Sequence, residues 1–165
     1  MNIYIGGLQG VGKTTFGKEL ARYLQCPFFD VDAVILEQYG SQYDSVRALC
    51  KELGLAEFRR LEALTVLQLS KYSHTIVALG GGSLESTESQ QVVIQSGVLF
   101  YLYASYAFFR QRLKQAVELP AYLNSGDPEA HLEQVYNKRH AIFEKLACIT
   151  IPSCVDFPKE NPHMT

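Results

Sequence analysis

The sequence predicts an α/β fold, a three-layer αβα sandwich on a five-stranded parallel sheet with a mobile lid. Short apolar segments suited to buried strands alternate with helical segments along the 165 residues, and this alternation is typical of a parallel sheet with helices on both faces. A Gly-rich segment, GLQGVGKT at residues 7–14, lies between the first predicted strand and the first predicted helix. It matches the phosphate-binding P-loop, G-x-x-x-x-G-K-[ST].

The first half of the chain holds two predicted strands and four predicted helices. In order they are strand 2–5, helix 15–24, strand 27–30 and helices 33–39, 46–53 and 57–70. Pro27 opens its strand at a position where a missing N–H is tolerated. Gly40 ends the second helix, and Ser45 as N-cap and Gly54 at the C-terminal end bound the third.

The second half continues the alternation. The predicted elements are strand 75–79, helix 88–95, strand 98–102, helix 105–114, helix 127–146 and strand 148–151. The run TIVAL at 75–79 is continuously apolar, as expected of a strand covered on both faces. Asp127 is a predicted N-cap with Pro128 at the first helical position. Residues 115–126 have little periodicity and form the predicted lid, while the proline-rich residues 152–165 are a predicted tail.

The P-loop predicts a nucleoside triphosphate site. Its glycines let backbone N–H groups converge on phosphate oxygens, and the helix that follows adds its positive dipole end. Lys13 would reach the β- and γ-phosphates, and the Thr14 hydroxyl would ligate Mg²⁺. The predicted ATP-binding residues of the loop are Gly10, Val11, Gly12, Lys13, Thr14 and Thr15.

Polar residues and glycines follow two of the predicted strands. Asp30 and Asp32 come at the end of strand 27–30, where open α/β sheets place ligands; they are either solvated turn residues or partners of Mg²⁺ and an acceptor hydroxyl. Three glycines at 80–82 end strand 75–79, which favours close ligand approach over a simple turn. Arg59 and Glu62 share a helix face, and taken alone they predict a surface salt bridge.

Composition excludes several classes of function. The net charge of −2 disfavours a nucleic-acid binder. The sequence contains no run of 18 apolar residues, so we expect no membrane span. The N-terminus lacks a secretory signal pattern. The four cysteines form no C-x-x-C pair and are expected to be reduced, mostly buried thiols. We expect a single kinase domain over residues 1–165, monomeric and cytoplasmic.

The ordered set of motifs resembles the shikimate kinase family, which is similar in architecture to the nucleoside monophosphate kinases. Residues 7–17 follow G-x-x-G-x-G-K-[ST]-T-x-G, and residues 28–32, FFDVD, follow F-x-D-x-D. Residues 58–62, FRRLE, follow F-R-x-x-E, residues 80–82 supply G-G-G, and residues 137–139, NKR, carry the late helix arginine. Each motif after the P-loop is weakly specific, but their order over residues 2–151 is a specific pattern.

The resemblance implies transfer of the γ-phosphoryl of MgATP to the 3-hydroxyl of shikimate, a step in chorismate and aromatic amino acid biosynthesis. It implies that Arg59 and Arg139 bind the substrate carboxylate, since planar guanidiniums suit bidentate pairing. Glu62 would orient Arg59. Asp32 would accept the hydrogen bond of the acceptor hydroxyl as orienting group and candidate base, and Asp30 would hold Mg²⁺ through water.

The remaining implied roles concern the glycines and the adenine. The Gly81 N–H would contact the substrate, and Arg112 would lie over adenine. The implied catalytic residues are Lys13, Asp32 and Arg59. The implied substrate-binding residues, centred on a helical region at 32–62, are Asp32, Arg59, Glu62, Gly80, Gly81, Gly82 and Arg139.

Two departures from the family pattern keep alternatives open. The lid motif R-P-L-L reads LPAY at 119–122, so Leu119 stands in place of the lid arginine, and residues 115–137 contain no Arg or Lys. The family's final adenine-side loop and helix are replaced by the short segment 152–165. A degenerate nucleotide-binding module without turnover is therefore one alternative, and a gluconate-type kinase is another. A GTPase is rejected because residue 140 is His where the N-K-x-D motif needs Asp.

Overall fold

A computed structural model describes residues 1–115 and 127–153. In chain order its elements are β1 (Asn2–Gly7), α1 (Lys13–Leu24), β2 (Phe28–Asp30), α2 (Val31–Tyr39), α3 (Val46–Leu53), α4 (Leu55–Leu69), β3 (Ile76–Ala78), a 3₁₀ turn (Ser83–Glu85), α5 (Thr87–Ser96), β4 (Gly97–Tyr103), α6 (Tyr106–Gln115), α7 (Pro128–Leu146) and β5 (Ile149–Pro152). The predicted lid residues 116–126 and the tail residues 154–165 lie outside the described part of the chain.

The five strands form one parallel sheet in the order β2-β3-β1-β4-β5. The sheet has a hydrophobic cluster on each face, because neighbouring side chains of a strand point to opposite sides. Tyr4 packs into the cluster with Phe143 of α7, whereas Ile5 packs into the cluster with Phe109 of α6. The predicted α/β sandwich with a five-stranded parallel sheet is confirmed.

The ends of the elements differ from the predicted ones mainly around the P-loop. β1 continues two residues further than predicted, to Gly7, because its register with β4 extends to Leu102. α1 begins at Lys13, directly after Gly12. α2 begins at Val31, one residue after β2 ends. The central strand therefore leads straight into the loop, and the loop leads straight into its helix.

The C-terminal strand contradicts the predicted start of the tail at residue 152. Pro152 belongs to β5 and pairs with Tyr103, which an edge strand allows because it needs no N–H on its outer side. Ser153 is fully buried. Its N–H donates to the Tyr103 carbonyl at 2.8 Å, and its hydroxyl donates to the Val11 carbonyl at 2.7 Å. The end of this strand is therefore tied to the P-loop.

Two findings concern the membrane and the cysteines. No helix in residues 1–115 and 127–153 combines the length and the apolarity needed to cross a bilayer. Cys26, Cys50 and Cys148 are free thiols, of which Cys50 is buried, Cys26 is half-buried and Cys148 is exposed, so the expectation that these thiols are mostly buried is wrong for Cys148. Cys154 falls outside the described ranges.

Candidate active site

The candidate active site lies where β1, β2 and β3 end and the chain turns out of the sheet. The carboxyl ends of parallel strands are the usual place of ligands in open α/β sheets. One pocket there has a wall built from the P-loop, α2, α3, α4, the glycine turn and α7. All the predicted substrate-binding residues except Gly80 line it, namely Asp32, Arg59, Glu62, Gly81, Gly82 and Arg139, and the P-loop residue Lys13 lines it as well.

The P-loop takes the shape that its glycines allow. Gly10 and Gly12 have φ values of 80° and 93°, in the left-handed region that residues with a Cβ rarely adopt. The Lys13 ammonium donates hydrogen bonds to the carbonyls of Gly7 at 2.9 Å and Leu8 at 2.8 Å. The lysine is thus held across the opening of its own loop, close to where phosphate oxygens would bind.

Thr14 and Asp30 present oxygen atoms side by side. The Thr14 hydroxyl donates to Asp30 Oδ2 at 2.5 Å, while Asp30 Oδ1 caps α2 by accepting from the N–H groups of Asp32 and Ala33. Hard oxygen donors of this kind suit Mg²⁺, which keeps water and phosphate oxygens as its other ligands. No cluster of three or more His, Cys, Asp or Glu occurs among the described residues, so the donor set fits a nucleotide-bound Mg²⁺ better than an all-protein metal cage.

Asp32 and Lys13 face each other in a half-buried setting and shift each other's ionisation. Burial raises the pKa of Asp32 to about 6, the charges of Glu62 and Asp30 act in the same direction, and Lys13 opposes them. Burial lowers the pKa of Lys13 to about 8 against the charges of Asp32 and Asp30. Both groups therefore titrate within two pH units of neutrality, as is common for groups at active sites.

The pair formed by Arg59 and Glu62 is not at the surface. Glu62 is only 2% exposed and accepts hydrogen bonds from Arg59 Nη1 and from the Ser83 hydroxyl. The alternative of a surface salt bridge is therefore wrong, because this face of α4 packs against the turn after β3 rather than against water. A carboxylate held at both ends in this way fixes the direction of the Arg59 guanidinium.

The three glycines after β3 have different neighbours. A Cβ on Gly80 would lie 2.5 Å from Glu62 Oε1, and a Cβ on Gly82 would overlap the Arg59 guanidinium. At Gly81 the nearest atoms, on Gln9 and Arg139, would lie at 3.5 Å, an ordinary contact. Gly80 and Gly82 thus make room for side chains of the site itself, and Gly81 lines the pocket between the P-loop and α7.

Arg139 reaches the pocket from α7, and its partner is a residue that the sequence did not point to. Arg139 is 5% exposed, and its Nε–H donates to Glu85 Oε1 at 2.7 Å. Glu85 follows the glycines by three residues but belongs to no motif, so only the tertiary contact identifies it. Arg47 and Cys50 of α3 also line the pocket, and no sequence signal distinguished them from other residues of that helix.

Arg112 lies next to the P-loop rather than in the pocket. It is in the last turn of α6, with its Cβ 3.7 Å from the position that a Cβ on Gly10 would take. Its guanidinium lies 5.5 Å from the centre of the Phe108 ring. Contact with adenine stays a prediction. Leu119, the residue in place of the family's lid arginine, is outside the described residues.

The chain is similar to known proteins over nearly its whole length. The sequence model of a family described as "Shikimate kinase" matches residues 9–157. A curated shikimate kinase of Dechloromonas aromatica is 35% identical over 150 residues, which cover 91% of this chain and 80% of the relative.

Solved structures agree with the sequence matches. Shikimate kinase from Acinetobacter baumannii, solved in complex with shikimate, superposes with a TM-score of 0.78 and 28% identity, covering 91% of this chain and 82% of that one. Shikimate kinase from Aquifex aeolicus superposes with a TM-score of 0.80 and 28% identity, covering 96% and 89%. With its P-loop, its paired aspartates and the pocket residues Arg59 and Arg139 on this fold, the chain belongs to the shikimate kinase family.

Proposed function

We propose that this protein transfers the γ-phosphoryl group of ATP to the 3-hydroxyl of shikimate. The observation that carries the proposal is a single pocket in which Arg59 and Arg139 lie together with Asp32 and Lys13. Shikimate offers a carboxylate for the arginines and ring hydroxyls for the aspartate. The solved relative from Acinetobacter baumannii contains shikimate, which supports the same acceptor here.

Recognition of the acceptor begins with its carboxylate. Arg59 comes from α4 and Arg139 from α7, so two rigid helices carry the guanidiniums. A planar guanidinium binds a carboxylate through parallel N–H donors, which fixes orientation as well as affinity. Shikimate held in this way turns its hydroxyls toward Asp32 and the P-loop. The Gly81 N–H and the absence of a side chain at Gly81 allow the ring to approach the wall.

The roles of the reacting groups follow from the charged side chains beside the P-loop. Asp32 accepts the hydrogen bond of the 3-hydroxyl and takes its proton as the new bond from oxygen to phosphorus forms and ADP leaves. Lys13 exchanges its bonds with the Gly7 and Leu8 carbonyls for bonds to the β- and γ-phosphates. The backbone N–H groups from Gly10 to Thr15 hold the remaining phosphate oxygens.

A divalent cation belongs to the same proposal. The Thr14 hydroxyl would ligate Mg²⁺ directly, and Asp30 would hold the ion through water. When bound, Mg²⁺ would neutralise negative charge on the phosphates during the transfer. Composition further supports a monomeric, cytoplasmic protein organised as one kinase domain.

The experiment is a coupled ADP-release assay with MgATP and shikimate, with MgATP alone as the blank. We expect release with shikimate and none above the blank with gluconate or a nucleoside monophosphate. Release with gluconate instead would favour a gluconate-type kinase. The missing lid arginine favours a second candidate, a nucleotide-binding module without turnover. No release with any acceptor at high enzyme concentration, together with intact ATP binding, would establish that candidate and overturn the kinase.

The rate with shikimate is expected to fall as the pH drops through about 6. Burial raises the pKa of Asp32 to about 6, and a protonated carboxyl cannot take the proton of the acceptor hydroxyl. The measurement is the pH dependence of kcat/KM for shikimate. An acid limb at the ordinary aspartate value of 3.8 would contradict a base in this half-buried position.

A further inference from the structure

Glu85 lies next to Arg59 and Arg139 of the acceptor pocket. It is the last residue of the 3₁₀ turn Ser83–Glu85, and its side chain is 22% exposed. It is absent from the wall of the acceptor pocket. Instead it lines an adjoining cavity, to whose wall Arg59 and Arg139 also contribute. A carboxylate in this place touches the residues that bind substrate without occupying the space of the substrate.

The Glu85 carboxylate meets three cations. Its Oε1 accepts from Arg139 Nε at 2.7 Å, and its Oε2 accepts from the Lys138 ammonium at 2.9 Å. Arg59 Nη2 lies 3.9 Å from Oε1. Burial acts to raise the pKa of Glu85, but the hydrogen bond from Lys138 and the charge of Arg139 outweigh it and hold the pKa below its usual range. The group is therefore ionised at neutral pH and attracts both arginines.

The contact at Nε determines how Arg139 faces the pocket. A guanidinium carries five N–H donors in one rigid plane, so fixing the Nε edge sets the direction of the terminal nitrogens. Nη1 lies on the side of Gly81, 3.5 Å from the position that a Cβ there would take. Arg59 is held in a comparable way by Glu62. Arg59 and Arg139 are thus each paired with a carboxylate, Glu62 and Glu85 respectively.

We propose that Glu85 is a positioning residue for the substrate carboxylate, fixing the Arg139 guanidinium so that its terminal nitrogens face the acceptor pocket. The inference rests on the proposed function, in which Arg139 binds that carboxylate. The opposite role would be competition, with Glu85 occupying the donors that the substrate needs. Its place outside the pocket wall and its contact with Arg139 Nε favour positioning. The two roles predict opposite changes in the KM for shikimate.

The test uses Glu85→Ala and Glu85→Gln in the full chain. For Glu85→Ala we expect the KM for shikimate to rise about tenfold, as for loss of one charge-assisted hydrogen bond, with kcat and the KM for ATP changed by less than about twofold. Glu85→Gln should lie between wild type and alanine, because its amide oxygen still accepts from Nε without a charge. The matched control is Glu57→Ala, which removes a carboxylate paired with Arg60 on the outer face of α4 and should leave both KM values unchanged.

A double variant separates positioning from a general effect on folding. In an Arg139→Ala background, adding Glu85→Ala should raise the KM for shikimate no further, because the oriented group is already absent. The same tenfold rise in that background, or an equal rise in the KM for ATP, would mean that Glu85 acts through the fold and not through Arg139. A lower KM for shikimate in Glu85→Ala would establish competition instead.

Failure of the inference is distinguishable from failure of the proposed function. If the wild-type protein neither phosphorylates nor binds shikimate, the proposed function is overturned and the inference falls with it. If the wild type is active and Glu85→Ala has the wild-type KM, only the inference is overturned. Thermal unfolding of each variant identifies any change that comes from loss of folded protein.

Discussion

Replacing Asp32 with asparagine is expected to lower kcat by about 10²- to 10⁴-fold, the usual contribution of a positioned general base. The amide keeps the size of the side chain but cannot take a proton from the acceptor hydroxyl. The KM for shikimate should change little, because the arginines of the pocket remain. Steady-state kinetics with shikimate measures both constants. The matched control is Asp44→Asn, since Asp44 is an exposed aspartate between α2 and α3.

The same variant is expected to be more stable than wild type at pH 8. The pKa of Asp32 is raised in the folded protein, from 3.8 to about 6, so folding favours the protonated form. The stability from this group is present below pH 3.8 and is lost as the pH rises through about 6. An asparagine at this position does not ionise, so the variant does not lose this stability as the pH rises. Thermal unfolding at pH 8 and at pH 4 tests this, and an Asp32→Asn variant that is inactive but less stable at pH 8 would contradict a half-buried carboxylate whose pKa is raised by folding.

Replacing Arg59 with alanine is expected to weaken shikimate binding about 100-fold while leaving ATP binding nearly intact. Two charge-assisted hydrogen bonds to a carboxylate are lost, whereas the ion pairs of Arg59 are with Glu62 and Glu85 and not with P-loop residues. Calorimetric titration with each ligand measures the two affinities. The control is Arg60→Ala, because Arg60 is the next residue of α4 but pairs with Glu57 at the surface. Equal loss of both affinities would contradict a role of Arg59 in acceptor binding.

Arg59→Ala is also expected to lower the free energy of unfolding, by about 3 kcal/mol, because it leaves a buried carboxylate without its partner. That carboxylate is Glu62, which is 2% exposed. The double variant Arg59→Ala with Glu62→Gln should recover much of the stability but none of the shikimate affinity. Chemical denaturation of the single and double variants measures the difference. Recovery of affinity in the double variant would contradict the role of Arg59.

The fold could be predicted from the sequence because its signals are local. Alternating apolar strands and helices, the P-loop between the first strand and the first helix, and the caps at Ser45, Gly54 and Asp127 each depend on a few neighbouring residues. The boundary at residue 152 could not be predicted in this way. A proline there indicates the end of a strand, and only pairing with Tyr103 keeps it in the sheet.

The residues of the candidate site could be predicted from the sequence to about the same extent as the fold. The motifs named seven residues that the fold brings to one pocket, namely Lys13, Asp32, Arg59, Glu62, Gly81, Gly82 and Arg139. They also named Asp30 and Gly80, which are not among the residues that line it. The burial of the site residues could not be predicted, because it depends on which residues from elsewhere in the chain pack against them. Glu62 has the spacing of a surface ion pair and is buried only because the turn after β3 covers that face of α4.

The amino-acid sequence by itself therefore determined the family, the fold and the candidate groups for binding phosphate and carboxylate, because those depend on residue types at short, ordered spacings. The tertiary structure determined which other residues contact and orient those groups. The contact of Glu85 with Arg139 joins residues 54 positions apart, and the hydrogen bond of Ser153 to the P-loop joins residues 142 positions apart. Contacts over such separations leave no local pattern, since they exist only when the helices and strands have packed.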